Sequence, residues 1–558
     1  MKNILIAIRS IFKKGRHNVM KIVSLGIGLA VGLVLIAKVY FEQSYDDFYP
    51  DRDRVYQVWA KYQQKGGELK DYPQTSGGIA PTMQQQIPEI ETVTRYTSFG
   101  DWTFTMTDTK MKYSGRCIIA DSCFFDILPR PMLIGNAKEV LSTPMYVLIS
   151  SRIAKNIGGD VIGKNFTVDN SPGRTMTIGG VFEEVPENSH SRYDVIVSMA
   201  SAGRFMWEGS PTNMLGNDRY ISYVKLHKGV NPLALEEQVR TFVNSYFPPE
   251  EQQKVGLSID FSFHKLDNLH KELPQVKRMT WILSLLAFAL IFTAVMNYIL
   301  IVISSIVNRS KEVAVHKCYG ASENNIHGMM FGEALVHIVL SLILALLLIL
   351  AFRGTVEELL ATSLDSLLLS NGSLVLLGIC ILVFFVSGFM PGSLYARIPV
   401  ASAFRNYREN KRIWKKALLL VQFVATGFLV TMLVFVARQY TFMVNDRPGY
   451  AYENLAYCGL AGVDSTSRAK ILDEVMRLPG VAAATTVYQL PFEHASGNNI
   501  LLPGGTQELF NIADLYWVGN GYLDMMEIPV IQGRSFTENV TNSREVMVDR
   551  RFVEKMKL

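Results

Sequence analysis

The sequence predicts a membrane protein: an α-helical transmembrane bundle of about five spans, joined to mixed α/β extracytoplasmic domains. Three observations predict it. Five apolar runs are each long enough to cross a bilayer, which takes about 20 residues. The 558 residues are only 19% charged, with mean hydropathy +0.17, whereas soluble domains average about 25% charged. The basic residues gather in segments that fall on one side if every run crosses, which is the positive-inside pattern.

Residues 1–19 place Ile4, Leu5, Ile8, Ile11 and Phe12 at helical spacing among Lys2, Arg9, Lys13, Lys14 and Arg16. This is an amphipathic helix suited to the inner leaflet. The first span, 20–40, has no small-x-small cleavage site after it; Lys38, Tyr40, Phe41 and Glu42 follow, so it reads as an uncleaved signal anchor. Segment 41–278 reads as a mixed α/β domain. Its strand-like runs lie at 54–60, 145–149, 174–182, 193–198 and 220–226, and its helix-like runs at 80–86, 151–156 and 232–247. Gly77-Gly78, Gly158-Gly159 and Ser171-Pro172-Gly173 punctuate them. The remaining spans are 279–303, 330–352, 374–396 and 416–437. Gly378, Gly388 and Pro391 in the fourth are tolerable inside a helical bundle.

The link 397–415 and the flank of the fifth span hold Arg397, Arg405, Arg408, Lys411, Arg412, Lys415 and Lys416. These match anionic lipid headgroups and topology control better than nucleic acid. With the basic N-terminus, this link and 304–329 in the cytoplasm, 41–278, the short loop 353–373 and 438–558 lie outside.

Several functions are excluded. There is no Walker-type glycine loop and no GxGxxG opening a helix, so no nucleotide is expected to bind this chain. No CxxC or HExxH supports a metal site, and no Ser/His/Asp set or carboxylate pair has a catalytic context. His190 and Asp194 belong to a polar loop, where capping by Asn188 or Ser189 is the simpler account. The five cysteines give no disulfide framework; Cys117 and Cys123 remain a possible pair.

An internal repeat links 119–156 to 517–556, and the basic-then-apolar pattern of 13–37 to 408–437, each at an offset just under 400 residues. The repeat predicts a duplicated unit of one span, an outer domain and three spans. It also predicts a full version of roughly 800 residues and eight spans, of which this sequence would be a C-terminally truncated form.

Link 304–329 is charged and short. Val313, Cys318 and Tyr319 offer an apolar flank beside polar Lys311, Glu312 and Lys317, with Gly320 as terminator. Such a helix either slots into a partner groove or merely turns the chain at the interface. Asn297 reads as an interhelical hydrogen-bond group. Glu333 reads as a carboxylate at the cytoplasmic interface, solvated or paired with Lys or Arg.

The stretch RSKEVAVHKCYGAS at 309–322, with FGEAL opening the next span, resembles the signature of MacB/FtsX-type ABC transporter permeases. YFEQSYDDFYPDRDRVYQV at 40–58 and GGVFEEVPENSHSRYDVIVS at 179–198 are similar to segments of Bacteroidetes-type members. His316 departs from the usual Arg. The resemblance covers the whole chain and implies a MacB-like periplasmic core domain of two lobes in 41–278 and an FtsX-like permease domain in 279–396. It implies that Arg309, Lys311, Glu312, Val313, His316, Lys317, Gly320 and Ala321 lie in or beside an ATPase-coupling helix. It further implies a multi-pass protein of the bacterial inner membrane, acting as a homodimer or pseudo-dimer. A separate cytoplasmic ABC ATPase would bind the ATP, and an envelope adaptor or outer-membrane channel would complete the path. The function implied is mechanotransmission: export or extraction of a periplasmic peptide, lipoprotein, drug or lipid, in the manner of efflux or antimicrobial-peptide systems. The alternative is a non-transporting FtsX-like regulator of an envelope enzyme. On this reading charge reversal at Glu312 with Lys317 abolishes coupling and leaves folding intact.

Overall fold

The computed structural model describes residues 17–64, 69–168, 171–370, 372–404, 413–445, 449–460, 463–491, 496–501, 508–536 and 545–556. Nearly all of the expected N-terminal amphipathic helix and residues 405–412 of the basic link lie outside these. Two compact units divide at 430/431.

Among the described residues, five helices are long and apolar enough to span a membrane: Asn18–Gln43, Pro274–Ser304, Glu323–Ala351, Ser373–Ala396 and Leu419–Asn445, the last within a longer helix, Ile413–Asn445. The first span sits against the second and third because its glycines let backbones approach. A Cβ at Gly28 would stand 2.2 Å from the Ala294 Cβ, and one at Gly32 would meet Ile291 Cγ1 at 2.4 Å. Apolar side chains gain nothing over lipid tails as neighbours, so close packing of small residues is what holds spans together. The fourth span runs unbroken through Pro391 and receives the Phe331 ring over Gly388 and His327 over Gly392. The fifth touches the second where Gln422 Nε2 donates to the Thr293 carbonyl at 3.3 Å.

Between the first two spans lies an 11-stranded sheet. Its strands are β1 (Val55–Gln64), β2 (Lys70–Tyr72), β3 (Ile90–Met106), β4 (Lys112–Ala120), β5 (Met132–Ile134), β6 (Tyr146–Ser150), β7 (Asn165–Val168), β8 (Ser171–Phe182), β9 (Val195–Ser198), β10 (Ile221–Leu226) and β11 (Leu257–Lys265). The order is β11-β1-β10-β3-β4-β9-β6-β8-β5, with β2 on β1 and β7 bridging β3 and β8. Only β4–β9 and β6–β8 run parallel among these pairings.

Alternation along the strands builds separate cores on the two faces. Tyr56, Val58 and Ala60 of β1 enter a core closed by helices Ile79–Gln86 and Glu236–Tyr246, whereas Val55 enters the core on the other face with Tyr49, Tyr96, Phe124 and Leu266. A third core gathers Trp102, Phe104, Cys117, Ile149, Phe166 and Val197. The two lobes that the family resemblance implies thus share one sheet. Strand β3 joins them: its 17 residues pass from one core to the other, with a bulge between Ser98 and Asp101 where Gly100 adopts φ +75°.

All five cysteines are free thiols, which removes the possible Cys117–Cys123 pair. Cys117 is packed inside the third core, and the Cys123 thiol meets the Val93 carbonyl at 3.0 Å.

The second unit, taken by itself, holds a helix Ser465–Met476 and an antiparallel pair, Ser496–Leu501 with Glu508–Leu515. Its short helices Tyr522–Met525 and Arg550–Met556 match Phe124–Ile127 and Ser151–Ile157 at the repeat offset. Gly533 at φ +91° matches Gly135 at φ +86°.

Candidate functional site

The second span ends at Ser304, and a new helix, Ile306–Cys318, begins almost without interruption. The break is plugged from the fourth span. Tyr395 donates to the Val302 carbonyl at 3.1 Å and shares a 3.0 Å hydrogen bond with Ser305 Oγ. The connecting helix therefore starts against the bundle. It ends at Gly320, whose φ of +84° a side chain would resist; the Ala321 N–H returns to the His316 carbonyl at 3.0 Å. Ser322 then caps the third span through the Asn325 N–H.

Arg309 lies on the buried face of this helix. Its Nη1 is 2.8 Å from Glu333 Oε2 of the third span, and its Nε is 3.5 Å from Glu312 Oε2. The other Glu333 oxygen, Oε1, lies 3.5 Å from Lys21 Nζ of the first span. Side-chain exposures are 7% for Arg309, 7% for Glu333 and 1% for Lys21. The guanidinium also stacks on the Tyr395 ring, its carbon 5.5 Å from the centroid. One carboxylate thus binds two cations, and these come from the connecting helix and the first span. Buried charge is tolerated only when paired, and removing one partner costs about 3–5 kcal/mol. The group is consequently a stiff joint between the connecting helix and three spans.

At the other end of the helix, Lys317 Nζ donates to the carbonyls of Ala396 and Ile398 at 2.6 and 2.9 Å. It caps the end of the fourth span, where carbonyls lack helical partners. Val313 and Ala314 are buried between these two ties.

The residues expected to carry partner contact divide accordingly. Arg309, Val313 and Lys317 face the bundle, Glu312 is half-buried, and Lys311, His316 and Gly320 are exposed, with Ala321 half-buried at the turn. Of the expected apolar flank, Cys318 and Tyr319 are exposed, Tyr319 by 88%, whereas Val313 packs into the bundle beside Ala314. Of the two expectations for Glu333, solvated or paired, the structure shows the second: it is buried and paired with both Arg309 and Lys21. Asn297 points outward on the second span and makes no interhelical bond among the described residues. Tyr298 beside it turns inward to His337 at 3.2 Å.

Two residues of the joint were missed in the sequence. Lys21 reads as one more flanking positive charge, yet it is buried and pairs with a residue 312 positions away. Its only local sign is Asn18 one turn earlier, whose Oδ1 it reaches at 3.3 Å. Tyr395 gave no sign at all.

In the sheet domain, His190 and Asp194 do not meet. Asp194 accepts from Arg152 Nη2 at 2.5 Å and the Arg116 N–H at 2.9 Å, whereas His190 bonds Asp46. Among the described residues no His, Cys, Asp or Glu group is placed to hold a metal ion.

Two family models match the chain: the MacB-like periplasmic core domain over residues 20–242, and the FtsX-like permease C-terminal domain over 284–400. Among solved structures, the chain is similar to a domain of a permease protein from Porphyromonas gingivalis, at 33% identity over 39% of this chain and 91% of that one, with TM-score 0.36. It is similar at 14% identity to the periplasmic region of MacB from Actinobacillus actinomycetemcomitans, over 39% and 91% of the two chains, with TM-score 0.28. It is similar at 10% identity to the extracellular domain of the noncanonic ABC-type transporter YknZ from Gram-positive bacteria, over 38% and 98%, with TM-score 0.27. No curated protein matches. The chain belongs to the MacB/FtsX-type permeases, a multi-pass membrane family.

Proposed function

We propose that this MacB/FtsX-type chain is the permease subunit of an ABC transporter in a bacterial inner membrane, with its N-terminus in the cytoplasm. In this reading a separate cytoplasmic ATPase presses on the connecting helix Ile306–Cys318, and the spans carry the displacement to the sheet domain. The sheet domain then exports or extracts a periplasmic substrate: a peptide, lipoprotein, drug or lipid. The working unit is a dimer or pseudo-dimer, joined where needed to an envelope adaptor or outer-membrane channel.

One observation carries this reading. The connecting helix is anchored at both ends by Arg309–Glu333–Lys21 and by Lys317, while Lys311, Val315, His316 and Tyr319 stand free of the bundle. A helix that only turned the chain would need no buried ionic joint, which is costly to build. Exposed apolar Val315 and Tyr319 among polar neighbours suit a groove on a partner.

The test is a photo-crosslinker placed at Tyr319 or His316 in cells that make the chain with its neighbouring ATPase. A crosslink to the ATPase, together with ATPase stimulation lost in Tyr319→Ser, is the expected result. Stimulation that survives Tyr319→Ser and His316→Ser together would overturn the coupling assignment. Stimulation without any transported species, with an envelope hydrolase bound to 41–278, would identify the FtsX-like regulator instead.

A further inference from the structure

The sheet domain meets the bundle at a cluster of two histidines, each held by its own carboxylate. The first span ends at Gln43, and the chain turns through Asp46, which is 1% exposed and adopts φ +57°. The turn is pinned by loop 186–191: the Asp46 N–H donates to the Asn188 carbonyl at 2.9 Å, and Asn188 Nδ2 donates to the Ser44 carbonyl at 2.7 Å. Asp46 Oδ1 accepts from Ser189 Oγ at 2.6 Å, and Asp46 Oδ2 lies 2.5 Å from His190 Nδ1. On the opposite side, His270, just before the second span, places Nε2 2.5 Å from Glu42 Oε2. The other Glu42 oxygen binds Lys38 at 2.7 Å, and Lys38 Nζ also donates to Thr362 Oγ1 at 2.8 Å.

Tyr45 lies between the rings. It stacks on His270 at 3.6 Å with an interplanar angle of 10°, and meets His190 edge-on at 5.1 Å. The two imidazoles are 5.5 Å apart. Four pieces of chain far apart in sequence therefore converge: the end of the first span, loop 186–191, segment 266–273 and the 353–370 link. Beyond Asp46 a polar path enters the sheet domain through Ser189, Ser191 and Tyr49.

We propose that this cluster is a proton-operated clamp. With His190 and His270 protonated, two ring–carboxylate ion pairs lock the sheet domain onto the first span. Without those protons each neutral imidazole keeps its hydrogen bond to the carboxylate but loses the attraction of opposite charges, and the junction loosens. Imidazole is the side chain that changes charge between about pH 5 and 8.

The surrounding charges permit this sign. Lys38 is held by Glu42, and Lys271 by Asp47 at 3.3 Å; Arg192 is exposed. Glu187 accepts from the Ser363 N–H at 3.0 Å. On the 353–370 link, Arg353 is paired with Glu357 and Asp365. Burial, together with Glu42 and Asp46, pushes the Tyr45 phenol up, so the ring between the histidines stays neutral.

The inference rests on the proposed topology only for which compartment's acidity is sensed. The test is hydrogen–deuterium exchange of the full chain in lipid nanodiscs, corrected for intrinsic rates, between about pH 5.5 and 7.5. Peptides covering 42–49, 186–192 and 266–273 should exchange about tenfold more slowly at the acid end, and His190→Gln with His270→Gln should flatten that response. If the double variant does not fold, Glu42→Gln and Asp46→Asn each keep an acceptor, remove one charge, and should halve it. A pH response unchanged in these variants would overturn the clamp. In right-side-out vesicles, a response only to acid on the inside would leave the clamp standing and overturn the topology.

Discussion

Glu333 holds two cations with only 7% of its side chain exposed, and single changes there have a sharp consequence. Glu333→Gln removes the carboxylate that Arg309 and Lys21 share and leaves Arg309 only the more exposed Glu312, so the chain should lose about 3–5 kcal/mol of stability, read as a fall in the thermal midpoint in detergent. The triple change Lys21→Met, Arg309→Leu and Glu333→Leu removes the charges together and should restore that midpoint while leaving ATPase stimulation abolished. A triple variant that stimulated normally would show that the joint only packs. At the start of the sheet domain, Arg54 and Lys225 hold the Asp51 carboxyl down at about 2. A carboxyl depressed in the fold stabilises it fully above 3.8, and that contribution disappears as pH falls towards about 2. Asp51 is 36% exposed along its side chain, so Asp51→Asn should flatten the acid limb of stability by less than about 1 kcal/mol.

Elements pack here through what they lack as much as through what they carry. Gly28 and Gly32 make the first span a partner for the second, whereas Gly378 has nothing within 4 Å of where a Cβ would stand. Gly28→Leu should therefore lower the yield of monodisperse protein, by overpacking worth about 1–3 kcal/mol, and Gly378→Leu should leave it unchanged. The connecting helix shows the same economy. Charge reversal at Glu312 with Lys317 does not isolate partner contact, because Lys317 caps the fourth span. Lys317→Glu should unfasten that span's end as well as the helix, and limited proteolysis after Arg397 should detect it. The exposed Lys311, His316 and Tyr319 are the positions where a change leaves both of these ties intact.

At the scale of the whole molecule, orientation is testable through the cysteines. Cys318 and Cys458 are exposed, Cys117 is buried with its thiol pushed well up by burial, and the Cys123 thiol is pushed up to about 11. A membrane-impermeant maleimide applied to the outer face should label Cys458 first, reach Cys318 only after the membrane is opened, and leave Cys117 untouched until denaturation. Labelling of Cys318 in sealed cells would invert the topology. The spans and the family were legible in the residues because hydropathy over about 20 positions and a contiguous charged link are local properties. Of the strands, those with continuous apolar runs, such as 145–149 and 193–198, were equally plain. Strand β3 was not, because IETVTRYTSFGDWTFTM alternates polar with apolar residues and changes core halfway. Tertiary structure alone decided that the two lobes share a sheet, that Asn297 faces outward and Tyr298 inward, and that Lys21 meets Glu333 across 312 residues. Pairing between distant positions leaves no periodic trace, since the partner's identity depends on how the helices rotate as their glycines and side chains interlock.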